Sequence, residues 1–162
     1  MIPALPLQGK ISSSGLRNMN YSSPPLPSGL PDRVAEGTQI LVLVVERDPH
    51  VRALEAHFLK QAGFEVAFSA DGREARAQAR ERLPEILITE VLVPKLDGLA
   101  LCRQIKQDER TSHISVLVFS ILAASSRATE AGADAFLMKP LAEHRLISTV
   151  NSLIARRQTS KG

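Results

Sequence analysis

The chain has 162 residues, 44% of them hydrophobic and 23% charged, with a single cysteine and a formal charge of +3. This length suits one domain with a tail. Cys102, being alone, excludes an intrachain disulfide framework and a Cys-rich zinc site, and its isolation fits a reducing compartment. The longest apolar run, 40–45, is far below the roughly 20 residues a bilayer span needs. The N-terminal stretch lacks the basic-then-apolar layout of a secretory signal, and no basic block marks a nucleic-acid tract.

Six of the ten prolines fall at Pro3, Pro6, Pro24, Pro25, Pro27 and Pro31, among many serines, whereas every Phe lies at or after residue 58. So little apolar mass cannot offset the entropy of ordering, so 1–37 is expected to be a disordered or extended Pro/Ser-rich arm. Met19 is an alternative start of translation. Pro24-Pro25-Leu26-Pro27 reads as a linker, or as a polyproline segment suited to an aromatic groove. The arm carries a net charge of +1 and the remainder +2, so neither part is strongly basic.

From Gln39 onward two patterns alternate. Short apolar runs at 40–45, 66–68, 86–89, 116–119 and 135–138 predict strands buried on both faces. Between them the spacing is helical. Val51, Leu54, Phe58 and Ala62 share one stripe, opened by a cap at Asp48 with Pro49 behind it and closed by Gly63. Ala75, Ala79 and Leu83 mark a second helix, ended by Pro84. Leu99, Cys102 and Ile105 mark a third, with Cys102 as a small buried hydrophobe. A short fourth falls within 123–131 and stops at Gly132. Leu146, Ile147, Val150, Leu153 and Ile154 stripe the last. The domain is thus predicted over 38–157, with 158–162 as a tail.

Five strands alternating with five helices predict an α/β sandwich around a parallel sheet, with right-handed crossovers. Such sheets bind ligands beyond the carboxyl ends of their strands. The residues there are Glu46-Arg47-Asp48, Ser69-Ala70-Asp71, Glu90-Val91-Leu92, Ser120 and Lys139-Pro140. Carboxylates, a hydroxyl and an ammonium on one rim form a specific constellation. His50, His57, His113 and His144 show no ligand spacing, and Arg156, Arg157 and Lys161 complement a helix dipole.

The segment 40–46 followed by Asp48-Pro49, and 86–90 leading into Val93-Pro94-Lys95-Leu96-Asp97-Gly98, resemble a response-regulator receiver domain of two-component signalling. So does the run from Ala131-Gly132 through Phe136 to Lys139-Pro140. The resemblance covers about 39–157. It implies a flavodoxin-like (βα)5 fold, a doubly wound parallel five-stranded sheet of order 2-1-3-4-5. It also implies an aspartyl phosphoacceptor after the third strand and acidic residues after the first that hold Mg²⁺. By resemblance Ser120 matches the switch hydroxyl, Lys139 the phosphate-gripping ammonium and Phe136 the switch aromatic. Lys139-Pro140 matches the family's cis bond.

Two positions depart from that pattern. Glu90 stands at the phosphoacceptor position, and its extra methylene shifts the in-line geometry on which phosphoryl transfer depends. Arg47 replaces the second acid and brings a cation toward the metal position, able to pair with Glu90 or Glu46. Asp48 is expected to cap the first helix instead. The expectation is a degenerate pseudo-receiver that is not an enzyme, takes no phosphoryl group and binds no cofactor. Mg²⁺ is disfavoured, any residual site being Glu46, Glu90 and the Leu92 carbonyl. Glu90 is placed to reach Ser120 or Lys139 and partly imitate the phosphorylated state.

The interval from Ser120 to Lys139 is shorter than the family's by about one helical turn, which alters the partner face around the fourth helix. The implied partners are proteins: a histidine kinase, another receiver or a signalling complex, with a homodimer allowed and neither nucleic acid nor membrane expected. The implied setting is bacterial and cytoplasmic. No length is expected to remain for an output domain such as a helix-turn-helix. Two alternatives stand beside this reading. One is a phosphorylatable single-domain regulator. The other is a flavin or small-ligand carrier, against which the Glu46-Arg47-Asp48-Pro49-His50 loop offers little phosphate-cradling backbone.

Overall fold

The computed structural model describes residues 39–161, and the predicted arm 1–37, with Met19 and the Pro24–Pro27 segment, lies outside them. Ten elements alternate along the chain: β1 (Leu41–Val45), α1 (Pro49–Gln61), β2 (Glu65–Ser69), α2 (Gly72–Arg82), β3 (Ile86–Thr89), α3 (Gly98–Gln107), β4 (Ser115–Ser120), α4 (Ser125–Glu130), β5 (Ala135–Met138) and α5 (Glu143–Lys161). The strands form one parallel sheet of order β2-β1-β3-β4-β5, the doubly wound flavodoxin-like arrangement.

Side-chain alternation along the strands divides the core into two layers. Leu43, Val45, Leu87, Val116 and Val118 point to one face, where Ala75, Ala79, Leu101, Cys102, Ile105 and Ala128 cover them. Val42, Val44, Ile86, Ile88, Leu117 and Phe119 point to the other, against Leu59, Leu146, Val150 and Leu153. The predicted stripes of the third and last helices are the ones that pack. Burial pushes the Cys102 thiol up to about 11, so it sits in the core as an inert thiol. No helix among the described residues is long and apolar enough to cross a membrane.

Local signals set the boundaries. Asp48 caps α1 by accepting from His50 N and Val51 N, Pro49 takes the first helical position, and Gly63 follows in the left-handed region with φ 97°. Asp71 and Asp97 cap α2 and α3 in the same way.

Several expectations need correction. Leu54 is 44% exposed, and the buried residues of α1 are Glu55, Ala56 and Leu59. Counting apolar residues alone set the stripe slightly off its true axis. Leu83 is not a core helical position: it ends α2 in the left-handed region, φ 48°, because Pro84 disfavours a helical conformation just before it. Burial on both faces holds for β1, β3 and β4 but not for β2 and β5, which are sheet edges and expose Phe68 and Met138. The expected tail is also partly structured, since α5 continues through 158 to Lys161.

Candidate functional site

The carboxyl ends of β1, β3, β4 and β5 bring four of the predicted side chains together. Glu46 directly follows β1, where its backbone N–H extends the ladder to Ser69 O at 3.0 Å. Its side chain is 3% exposed. Oε1 accepts from Lys139 Nζ at 2.8 Å, and Oε2 accepts from the Asp48 backbone N–H at 3.1 Å. Glu90 follows β3 with its N–H on Val45 O at 3.1 Å, and it is 4% exposed. Its Oε1 accepts from Val91 N at 2.6 Å, and its Oε2 accepts from Ile121 N at 3.2 Å and lies 3.0 Å from Lys139 Nζ. The Ser120 hydroxyl, fully buried at the end of β4, donates to the same carboxylate and accepts from Leu122 N at 3.0 Å.

Lys139 is the hub. Its ammonium bridges Glu46 and Glu90 and lies 5.5 Å from the centre of the Phe119 ring, within reach of a cation–π contact. Its backbone N–H donates to Ser120 O at 2.8 Å, and the peptide bond to Pro140 is cis. Burial pushes the Lys139 pKa down, but hydrogen bonds to Glu46 and Glu90 outweigh it and leave the group above the ordinary lysine value. For Glu90, burial pushes up, while hydrogen bonds from Ser120, Lys139 and Val91 hold the carboxyl below the usual range. Glu90 and Lys139 are therefore held in their charged forms near neutral pH.

The remaining predicted positions are arranged differently. Arg47 does not pair with Glu46 or Glu90; it is exposed and makes no hydrogen bond or ion pair among the described residues. Arg47 lies in the bend between β1 and α1, where its side chain is exposed beside the buried Glu46. Asp48 is exposed at the helix cap, its carboxyl lowered chiefly by the His50 and Val51 backbone N–H groups. Phe136 is half-buried on β5 against the layer that contains Ala124 and Ala128. Leu92 is exposed on the β3–α3 loop, and its carbonyl accepts no hydrogen bond among the described residues.

One group escaped the sequence reading. Glu55 is 1% exposed in the middle of α1, and its Oε1 has no hydrogen-bond partner. Burial first, and then the nearby Glu46 charge, push its pKa up to about 8. The signal was available, because Val51, Glu55 and Leu59 share one i, i+4 row of the helix.

Backbone packing fixes where Glu90 can sit. Gly98, at the start of α3, donates its N–H to Val91 O at 2.9 Å, and a Cβ there would lie 2.1 Å from the Glu90 carbonyl oxygen. Gly98→Ala is therefore expected to push α3 off the β3 loop and destabilise the domain by about 1–3 kcal/mol. Urea unfolding measures this, and an unchanged midpoint would show that the loop can yield.

A doubly wound α/β domain whose carboxyl rim closes two carboxylates around one ammonium, with a hydroxyl on one of those carboxylates, is the class these observations define. Sequence and structure comparisons agree with it. The family described as "Response regulator receiver domain" matches residues 42–151. The DNA-binding dual master transcriptional regulator RpaA of Synechocystis is 30% identical over 118 residues, covering 71% of this chain and 49% of RpaA. Response regulator PleD of Caulobacter vibrioides is 34% identical over 116 residues, covering 70% of this chain and 25% of PleD. This chain thus spans about half or less of those two relatives. The crystal structure of the signal receiver domain of a signal transduction histidine kinase from Syntrophus aciditrophicus is 33% identical, with a TM-score of 0.67, covering 71% of this chain and 89% of that one. The chemotaxis response regulator CheY4 of Vibrio cholerae superimposes with a TM-score of 0.68 at 26% identity, covering 72% and 99%. The chain belongs to the response-regulator receiver family. It carries a receiver domain of two-component signalling, a class of domain that works through protein partners, and this leaves the flavin-carrier alternative without support.

Proposed function

We propose that this receiver acts without phosphorylation, as a pseudo-receiver that signals by protein–protein interaction and carries out no catalysis. The supporting observation is the environment of Glu90. Its carboxylate takes donors from Ser120, Lys139 and the Val91 and Ile121 backbone N–H groups. Ser120 and Lys139 match the hydroxyl and ammonium that grip phosphoryl oxygens in the family. A fixed anion on the longer glutamate side chain satisfies both donors, so the switch residues meet a permanent negative charge where a transient one would otherwise arrive.

The donor set is also a poor fit to Mg²⁺. This hard cation needs several oxygen ligands and keeps bound waters. Here Glu46 and Glu90 each give an oxygen to Lys139, and an outward-facing arginine stands in place of the second acid. An ammonium already provides the positive charge that a metal would bring. The partner in this reading is a histidine kinase, another receiver, a second copy of this chain, or a larger signalling complex in the bacterial cytoplasm.

Incubation with acetyl phosphate and Mg²⁺, followed by intact-mass measurement, tests the proposal. The expected spectrum shows no phosphoryl adduct, while the double variant Arg47→Asp/Glu90→Asp, which restores the family's acids, gains one that is labile in acid. An adduct on Glu90 of the unaltered chain would overturn the proposal and favour the phosphorylatable regulator.

A further inference from the structure

The mild basic excess of the sequence is not spread evenly over the folded domain. Arg73, Arg76 and Arg80 recur at i, i+3 and i+7 on α2, so all three lie on one face and span about 10 Å along the axis. With Lys95 from the β3–α3 loop they line a groove between α2 and α3 whose apolar part is Ala77 and Leu96. No carboxylate lines it. Glu74 and Glu81 lie roughly 110–130° round the helix from the centre of that face, outside the lining, and Glu74 accepts from the Ser69 hydroxyl. Arg80 is paired with Asp108, and exposed Lys95 forms a long ion pair of 3.7 Å with the half-buried Asp71. Arg73 and Arg76 make no hydrogen bond or ion pair among the described residues, although the Arg76 charge helps lower the pKa of Asp108.

Lys95 adds an independent observation. Its φ is 70°, in the left-handed region that a residue with a Cβ adopts only at a cost. A lysine held there presents a cation on the rim of the groove, where glycine would serve the backbone better.

We infer that the α2–α3 groove is a docking site for an acidic segment of a partner protein, with carboxylates on Arg73, Arg76 and Lys95 and an apolar side chain on Leu96 and Ala77. Charge complementarity and the apolar floor select this occupant. Nucleic acid fits less well, because no aromatic side chain lines the groove to stack a base. Residues 1–37, with Lys10, Arg17 and Arg33 against Asp32 and Glu36, bring no net negative charge to complement the groove. The inference stands apart from the state of Glu90, since none of Glu46, Glu90, Ser120 and Lys139 lines the groove, and holds whether or not Glu90 accepts a phosphoryl group.

Fluorescence anisotropy of the full chain with a labelled peptide of alternating Glu and Leu tests it. Binding is expected at low ionic strength and weakens as salt screens the exposed charges. Arg73→Glu/Arg76→Glu is expected to weaken it at least about tenfold, while Arg127→Glu/Arg145→Glu, reversing two exposed cations elsewhere, changes it less than about twofold. Lys95→Gly is expected to lower affinity while the thermal midpoint holds or rises, separating the cation's role from any loss of fold. A matched peptide of alternating Glu and Ser is expected to bind more weakly, reporting the apolar floor. Absence of peptide binding, equal losses in both double variants, or tighter binding of a DNA oligonucleotide than of the peptide would each overturn the inference.

Discussion

Lys139→Met is expected to destabilise the domain by about 3–5 kcal/mol at neutral pH, the cost of leaving buried charges without their partner. Glu46 and Glu90 are both nearly inaccessible and both depend on one ammonium, at 2.8 and 3.0 Å. Without it, two like charges share a water-poor site, and one carboxyl must take up a proton. Methionine keeps most of the side-chain volume, so the loss reports charge rather than packing. The triple variant Lys139→Met/Glu46→Gln/Glu90→Gln is expected to recover most of the stability, because removing a buried ionic set together costs far less than breaking it.

The pH dependence has a definite sign. Glu90 sits below the ordinary carboxyl range when folded, so its stabilisation is present above about 4.3 and is lost only as pH falls through the lowered value. Lys139 is raised when folded, so its stabilisation is present below about 10.4 and disappears only above that. The contributions of Glu90 and Lys139 are therefore level between about pH 5 and 10, and in a Glu55→Gln background, where no other slope is expected, Lys139→Met is expected to lose stability as pH rises from about 4 to 7. Urea unfolding at several pH values measures both. A loss below about 1 kcal/mol would mean that the three groups behave as a screened surface pair.

How far the sequence discloses this site depends on which physical signal each residue carries. The apolar runs and helical stripes specify a parallel sheet, and the motifs shared with receivers specify its order. Glu46, Glu90, Ser120 and Lys139 are legible because each closes a strand, and a parallel sheet gathers its strand ends on one rim. Edge positions are not legible: Phe68 and Met138 sit in runs as apolar as those of the central strands, and only the order of pairing exposes them. The direction of Arg47 is set by the bend between β1 and α1, which its charge does not reveal. The basic groove is hidden for a different reason. Lys95 lies far along the chain from the α2 arginines, so no window of sequence shows the cluster.

Glu55 is the clearest case of a residue missed by following apolar positions alone, since it is a charged residue in the core-facing Val51–Leu59 row, and it carries the second large expectation. A carboxyl raised to about 8 in the folded state binds its proton more tightly than in the unfolded chain. Its contribution is most favourable below the unfolded value near 4.3 and is lost progressively as pH rises through the folded value. At about 1.4 kcal/mol per unit, the folded domain is expected to lose about 3 kcal/mol between pH 4.5 and 7, and up to about 5 by pH 8 and above. Neither Glu90 nor Lys139 changes charge in that window, so the slope belongs to Glu55. Glu55→Gln is expected to flatten the curve. Glu55→Leu also removes an unpartnered buried oxygen and is expected to raise stability at pH 7.5 by about 3 kcal/mol or more, the gain shrinking toward pH 4.5. If unfolding free energies of the unaltered chain stay level from pH 5 to 8 and match those of Glu55→Gln, Glu55 does not hold a proton in the fold. If the slope is found, its protonation is what lets the helix behind β1 bury an acid next to Glu46 and Glu90 while the ammonium of Lys139 remains committed to those two.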